Sequence, residues 1–189
     1  MLSDDHSRYG WVTISLHWIS AITVIGLFGL GIYMVDLTYY DKGYHELPRL
    51  HVSIGLLFGG LMALRVLWRI AQRGNPRALP NHGTLVRFAA STMKYALYAL
   101  IFLMIATGYL IHTAKGDPAW VFEWFSIPST WQLGADGVDL AGDIHRLAGW
   151  AIIVLAAAHA GAAFWHHGVI RDRTLKRMLR PGPPETDNR

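Results

Sequence analysis

The stretch GDIHRLAGWAIIVLAAAHAGAAFWHHG, from Gly142 to Gly168, is apolar enough to cross a membrane, yet it holds four histidines. A histidine in hydrocarbon is costly unless it is paired, hydrogen-bonded or bound to another group. Two of them, His145 and His159, are separated by just under four helical turns. At 100° per residue, this spacing falls about 40° short of four whole turns and rises roughly 21 Å. The two side chains therefore share one helix face, near opposite sides of a bilayer.

The composition fits a small integral membrane protein. Of the 189 residues, 52% are hydrophobic and only 16% are charged, and the sequence contains no cysteine. Without cysteine, the chain forms no disulfide, no thiolate-held iron–sulfur cluster and no haem attachment through a C-x-x-C-H motif. The formal net charge of +4 comes from basic residues clustered beside apolar segments. We therefore expect a lipid bilayer and no nucleic acid as a partner.

Four apolar runs are long enough to span a bilayer, which takes about 20 helical residues. The sequence predicts spans over residues 11–34, 52–70, 88–111 and 144–165. We expect an all-α integral membrane four-helix bundle with up-down-up-down order, formed as a single domain over residues 1–189. The first run is too long for a signal peptide and lacks a small-residue cleavage site, so we expect it to be retained.

The charges beside the spans predict the orientation of the bundle. The second connection and its flanks are basic and contain no acid, whereas the first and third connections are acidic on balance. The tail over residues 171–189 is also basic. By the positive-inside rule, both termini of this multi-pass chain are predicted to face the cytoplasm.

Antiparallel packing of the spans brings four histidines into two stacked pairs. His17 lies near the cytoplasmic end of the first span, at the depth of His159. His51 opens the second span at the periplasmic end, at the depth of His145. Two neutral imidazoles that face each other across a bundle can take the two axial positions of a b-type haem.

Other assignments of the histidines stay open. His45 and His112 lie near the periplasmic surface and could replace His51 if the second span begins elsewhere. A proton relay would account for a single intramembrane histidine, but poorly for four at matching depths. A zinc or copper pathway usually adds carboxylate or thiolate ligands, and the spans offer none.

A glycine follows each periplasmic histidine by one helical turn. Gly55 follows His51, and Gly149 follows His145. A missing side chain at these positions would let a flat macrocycle lie against the helix, although small residues also let membrane helices approach closely. The repeated H-x-x-x-G in the two helices that would share a cofactor favours haem.

Two arginines of the second span lie toward its cytoplasmic end. Arg65 follows His51 by just under four turns and so lies on nearly the same face. It is predicted to face inward, where it could pair with the carboxylates of a haem. Arg69 lies one turn further along and could also pair with these carboxylates, and the alternative for it is snorkelling to the lipid headgroups.

The cytoplasmic end also holds a candidate quinone site. A histidine that donates a hydrogen bond to a quinone carbonyl, with cations nearby, could support its reduction. The residues that would form this site are His166 and His167 of the last span, with Arg73 and Arg77 of the second connection. The alternative for the two histidines is an interfacial role at the end of the helix dipole.

The segments around these residues resemble the bacterial cytochrome b561 family over nearly the whole chain. The resemblance is carried by LHW around His17, LHVSIG around His51, H-x-x-x-G at His145, AAHAGAAFWHH around His159 and the tail HHGVIRDRTLKRML. It implies a four-helix bundle in a bacterial inner membrane that holds two b haems. By position, it implies His17 with His159 for one haem and His51 with His145 for the other.

The resemblance also implies a function. One activity of the family is superoxide oxidase, which passes the electron of superoxide to ubiquinone. We therefore expect an oxidoreductase that links a small periplasmic donor, with superoxide as the first candidate, to the ubiquinone pool. The periplasmic connections are acidic on balance, so a positive path for an anion would come from Lys42, Arg49, Lys115 and Arg146.

Two other functions remain open from the sequence. The first is a membrane electron-transfer subunit that docks a soluble redox partner, such as a dehydrogenase or hydrogenase. The second is a haem-free ion or proton carrier. The compact connections favour a stand-alone oxidoreductase, and the sequence assigns no catalytic residue.

Overall fold

The computed structural model describes residues 2–6, 8–72 and 83–181. It contains four long helices, α1 (Trp11–Val35), α2 (Glu46–Ala71), α3 (Thr84–Thr113) and α4 (Ala135–Trp165). Each is long and apolar enough to cross a membrane. The predicted all-α membrane bundle of four helices is confirmed.

The helices extend beyond the apolar runs from which they were predicted. α2 begins at Glu46 instead of residue 52, and α4 begins at Ala135 instead of residue 144. Backbone hydrogen bonding continues through polar residues, and an acidic side chain in the first turn favours the helix dipole. Glu46 and Asp136 occupy these first turns. His51 consequently lies inside α2 instead of opening it.

A short β-hairpin interrupts the connection between α3 and α4, which the sequence predicts as a loop. Its strands β1 (Ala119–Val121) and β2 (Phe125–Ile127) pair antiparallel. The side chains of Ala119 and Val121 are fully buried. Phe122 enters the turn with a positive φ of 49°, which is rare for an aromatic residue. The hairpin therefore packs into the bundle instead of extending away from it.

The hairpin is fixed to α2 through one serine. The hydroxyl of Ser53 donates a hydrogen bond to the Trp120 carbonyl at 3.3 Å and accepts one from the Phe122 amide at 2.9 Å. Ser53 is buried and lies two residues after His51. The end of the bundle that carries β1 and β2 is called the hairpin end below, and the opposite end, where the chain after α4 packs, the tail end.

The tail end is closed by the segments that flank the bundle. The carboxylate of Asp4 is fully buried and lies 3.1 Å from the guanidinium of Arg69, and it accepts a hydrogen bond from the Gly10 amide at 2.8 Å. The Trp18 indole donates a hydrogen bond to the Met178 carbonyl at 2.7 Å. Arg69 therefore pairs with a buried carboxylate instead of snorkelling to lipid headgroups.

The helices pack in pairs. α3 packs most closely against α4, α1 packs against α2, and α2 also contacts α3. α4 makes few close backbone contacts with α1 or α2, although its histidines face theirs. The backbone of α4 is thus held away from the α1–α2 pair, on the side where the histidines lie.

Candidate functional site

The first histidine pair lies at the tail end. His17 of α1 and His159 of α4 face each other with ring centroids 6.3 Å apart and an interplanar angle of 67°. His17 is half-buried and His159 is exposed along the side of α4 that faces α1. The two residues predicted from their depth in the bilayer are therefore brought together.

The second pair lies at the hairpin end and repeats this geometry. His51 of α2 and His145 of α4 have ring centroids 6.3 Å apart and an interplanar angle of 66°. His45, a sequence alternative to His51, instead contacts the rings of Tyr39 and Tyr44, at 5.9 Å and 4.9 Å. The geometry favours His51 as the partner of His145.

The spacing of both pairs fits a single metal ion with two axial imidazoles. A metal–imidazole bond is about 2.0 Å long, as in zinc sites, and the ring centre lies roughly 1.2 Å beyond the bound nitrogen. Two rings on opposite sides of one iron therefore have centroids about 6.4 Å apart. Both observed distances match. Within the described residues, no group of three or more His, Cys, Asp or Glu side chains could hold a metal ion.

The ring of His145 is oriented from behind by α3. Its Nδ1 lies 3.1 Å from the hydroxyl of Thr107, and the Met104 carbonyl is a second partner of the ring. Histidines that bind metals usually donate their second nitrogen to such a group, which fixes the tautomer and leaves Nε2 for the metal. Thr107 is buried and also donates a hydrogen bond to the Leu103 carbonyl at 2.8 Å. The sequence did not predict this contact, because a threonine in an apolar span carries no distinctive signal.

Two glycines let the hairpin-end rings approach the neighbouring helices. A Cβ at Gly108 of α3 would lie 3.0 Å from Cε1 of His145, and one at Gly31 of α1 would lie 3.4 Å from Cε1 of His51. The Nδ1 atom of His51 is buried without a hydrogen-bond partner among the described residues. Neither glycine is predicted from the sequence, although Gly31 follows His17 by just under four turns and hence lies on nearly the same helix face.

The two glycines that the sequence did single out differ from each other. A Cβ at Gly55 would meet nothing within 4 Å, so open space adjoins this position one turn after His51. A Cβ at Gly149 would lie 3.6 Å from Met104 and 3.7 Å from Phe28, so Gly149 allows close packing of side chains from α3 and α1. Their contact with a cofactor stays a prediction, and Gly55 has the better geometry for it.

Comparison with known proteins identifies the family. A model of prokaryotic cytochrome b561 matches residues 8–181 of the chain. The chain belongs to the prokaryotic cytochrome b561 family. It is 44% identical over 172 residues to cytochrome b561 homolog 2 of Escherichia coli (strain K12), covering 91% of each chain. It is 24% identical over 176 residues to the probable superoxide oxidase CybB of Yersinia pestis, covering 92% of this chain and 97% of that protein.

Membership in the cytochrome b561 family establishes the general class of chemistry. Proteins of this family bind haem b and transfer electrons in membranes, and this chain is a bacterial membrane protein with oxidoreductase chemistry. The two histidine pairs offer this cytochrome suitable ligands for haem iron, because imidazole nitrogen is a common axial ligand of b-type haem.

Arg65 lies inside the bundle of this cytochrome, beside the tail-end pair. Its Nη2 is 3.3 Å from Nδ1 of His17, and its guanidinium carbon lies 5.5 Å above the centre of the Tyr98 ring. The side chain is half-buried. The inward direction predicted from its spacing with His51 agrees with this position, while pairing with haem carboxylates stays a prediction.

The candidate quinone residues are only partly described. His166 begins one π-helical turn (His166–Ile170) after α4, and its Nδ1 is paired with the carboxylate of Asp172. His167 is exposed. Arg73 and Arg77 lie outside the described residues. The structure thus gives His166 a defined partner at the tail end, and the quinone site stays a prediction.

Proposed function

We propose that this cytochrome is a di-haem membrane oxidoreductase that moves electrons from a small periplasmic donor to the quinone pool of a bacterial inner membrane. The proposed donor is superoxide, and the proposed acceptor is ubiquinone. The observation that carries the proposal is the presence of two histidine pairs, both with ring centroids 6.3 Å apart, at opposite ends of one bundle.

The residues of the two pairs have defined tasks in this proposal. His17 and His159 hold one b haem, and His51 and His145 hold the other. When bound, b haem supplies reversible one-electron chemistry. Thr107 keeps the ring of His145 in one orientation, as its contact with Nδ1 at 3.1 Å supports.

Binding of the haem carboxylates and of the macrocycle requires residues besides the four histidines. Arg65 is the proposed partner for carboxylates, because it is a cation inside the bundle beside the tail-end pair. Gly55 is the proposed site of contact with a flat ring, since open space adjoins it. Gly149 contributes by leaving room for the side chains of Met104 and Phe28.

The overall reaction balances with two donor molecules for each quinone. Two superoxide anions each lose one electron and become dioxygen, and one ubiquinone gains the two electrons and two protons and becomes ubiquinol. The proposed donor side is the hairpin end, where cations would attract the anion. Arg146 pairs with Asp143 at 3.1 Å, so the remaining candidates are Lys42, Arg49 and Lys115.

The proposed acceptor side is the tail end. His166 and His167, together with Arg73 and Arg77, would donate hydrogen bonds to quinone and stabilise its reduced oxygens. The pairing of His166 with Asp172 supports a role in passing a proton, because the carboxylate orients the imidazole. Exposed His167 would meet quinone from the membrane side.

The test of the two haem sites is a haem count with a reduced-minus-oxidised spectrum of the purified protein. Wild type is expected to hold two low-spin b haems, since strong-field imidazoles fill both axial positions. His159→Ala should lose the tail-end haem and keep the other, and His51→Ala should do the reverse. His112→Ala is the matched control, because His112 is the other sequence alternative to His51. A His159→Ala protein with two haems at full occupancy would refute the assignment.

The direction of electron transfer has its own test. His167→Ala should keep both haems and their reduction by the donor but slow reoxidation by ubiquinone. Arg49→Ala should instead slow reduction by superoxide. The opposite pattern would place the acceptor site at the hairpin end.

A topology reporter fused after Arg189 tests the orientation, and activity only in the periplasm would reverse the sides of both sites.

A further inference from the structure

The two histidine pairs differ in the group that faces an Nδ1 atom of each pair. At the tail end, the guanidinium of Arg65 lies 3.3 Å from Nδ1 of His17 and above the ring of Tyr98. At the hairpin end, Nδ1 of His145 instead faces the neutral hydroxyl of Thr107. The two sites thus have matching ring geometry and unequal electrostatics.

Among the described residues, no protein carboxylate forms an ion pair with Arg65. Its charge is therefore available to offset the negative charge of the haem carboxylates that it is proposed to bind. Arg69, one turn further along α2, is neutralised by the buried carboxylate of Asp4 at 3.1 Å. Nη2 of Arg65 lies 3.3 Å from Nδ1 of His17. A guanidinium has no acceptor atom, and a neutral imidazole that binds a metal through Nε2 carries its proton on Nδ1. Toward such a ring, Arg65 acts as a positive charge.

A fixed positive charge in a low-dielectric interior favours the reduced form of a nearby redox centre, because that form carries one electron more. The reduction potentials of haem proteins depend on the charges and burial around the axial ligands. We propose that Arg65 raises the reduction potential of the haem held by His17 and His159 above that of the haem held by His51 and His145. This inference rests on the proposed two-haem function.

The consequence is a preferred direction for the electron. With b haem bound at both pairs, the reversible one-electron chemistry that it supplies would hold the electron preferentially at the pair of His17 and His159, beside Arg65. The asymmetry lies in α2, which carries a ligand at one end and the charge at the other, just under four turns away. Arg65 would therefore act on the reduction potential from beside the ligand His17, and it touches no substrate.

The experiment is an optical redox titration of the purified holoprotein and its variants. Arg65→Gln removes the charge, Arg65→Lys retains it, and Lys94→Gln is the matched control. Lys94 is also a cation in the tail-end half of the bundle, but it is exposed and contacts the Tyr95 ring at 4.4 Å. His159→Ala, which should lose the tail-end haem, assigns the two titration components to their sites.

Arg65→Gln should shift the electron equilibrium between the two haems at least tenfold toward the hairpin end, which is a fall of about 59 mV in the tail-end potential. The hairpin-end component should stay in place, and Arg65→Lys and Lys94→Gln should stay close to wild type. Unchanged potentials in Arg65→Gln, or equal shifts of both components, would overturn the inference.

If Arg65→Gln loses the tail-end haem, a second neutral variant is needed to separate the charge from the shape of the side chain. This variant is Arg65→Met, which retains the length of the apolar stem. If neither neutral variant binds this haem while Arg65→Lys does, the charge is needed for assembly and the tuning role is wrong. A wild-type protein with fewer than two haems would instead refute the proposed function, so the two failures are distinguishable.

Discussion

Replacing Gly108 with alanine should damage the hairpin-end site and leave the fold intact. The added Cβ would lie 3.0 Å from Cε1 and 3.5 Å from Nδ1 of His145. Carbon atoms in contact settle at about 3.5–4.0 Å, so the ring must move by roughly 0.5 Å. Thr107 resists this movement, because turning the ring away weakens its 3.1 Å contact with Nδ1. Ligand sites tolerate displacements of only about 0.5 Å.

The stability change from the same substitution should be small. Alanine in place of glycine in a helix interior gains about 1 kcal/mol, and overpacking costs about 1–3 kcal/mol. The net cost of about 0–2 kcal/mol leaves a folded bundle in which the ligand geometry is wrong. The expected result is loss or distortion of the spectral component assigned to His51 and His145, with the tail-end component unchanged.

A graded series of glycine substitutions tests the distance argument. A Cβ at Gly29 of α1 meets nothing within 4 Å, whereas one at Gly31 lies 3.4 Å from Cε1 of His51. Gly29→Ala should therefore behave as wild type, Gly31→Ala should have a weak effect, and Gly108→Ala a strong one. The haem count and the spectrum of each purified variant are the measurements. Gly108→Ala with two fully occupied haems and an unaltered spectrum would refute the reasoning.

Two further predictions concern the ends of the bundle. Ser53→Ala should speed hydrogen exchange at the amides of residues 119–127 by roughly ten- to a hundredfold. Two backbone groups of the hairpin lose their hydrogen-bond partner, at a cost of about 1–3 kcal/mol. Equal protection in both proteins would show that the hairpin docks without Ser53. Asp4→Asn should lower stability by about 1–3 kcal/mol, because Arg69, whose side chain is 35% exposed, loses its buried hydrogen-bonded partner. Asp143→Asn is the control in thermal unfolding, since both members of its pair are about three-quarters exposed; equal losses in the two variants would contradict the prediction.

Much of the fold could be predicted from the sequence, because bilayer thickness and helix geometry are strong constraints. Apolar length located the four spans, and helix depth paired His17 with His159 and His51 with His145. The helix ends were less predictable. They are set by backbone hydrogen bonding and first-turn charges, as at Glu46, and apolar composition does not report these.

Contacts between distant segments could not be predicted from local patterns. Asp4 belongs to a short polar leader, and its partner Arg69 lies 65 positions away. Thr107 occupies an apolar span in which a single hydroxyl has no periodic signal. The hairpin strands have three residues each, too few for an alternating pattern to be recognised. In each case the contact depends on how two distant segments pack together, and the sequence of either segment alone does not predict it.

The site residues that could be predicted from the sequence share a single spacing along the helix, which recurs in three helices. Residues separated by just under four turns share a helix face and lie about 21 Å apart along the axis. The pairs with this spacing are His17 and Gly31 in α1, His51 and Arg65 in α2, and His145 and His159 in α4. Each helix therefore contributes one residue to each end, and the contacts between Gly31 and His51 and between Arg65 and His17 follow from antiparallel packing of α1 on α2. Because one spacing positions both ends, a one-residue insertion between the members of any pair would rotate one of them by about 100° out of its site.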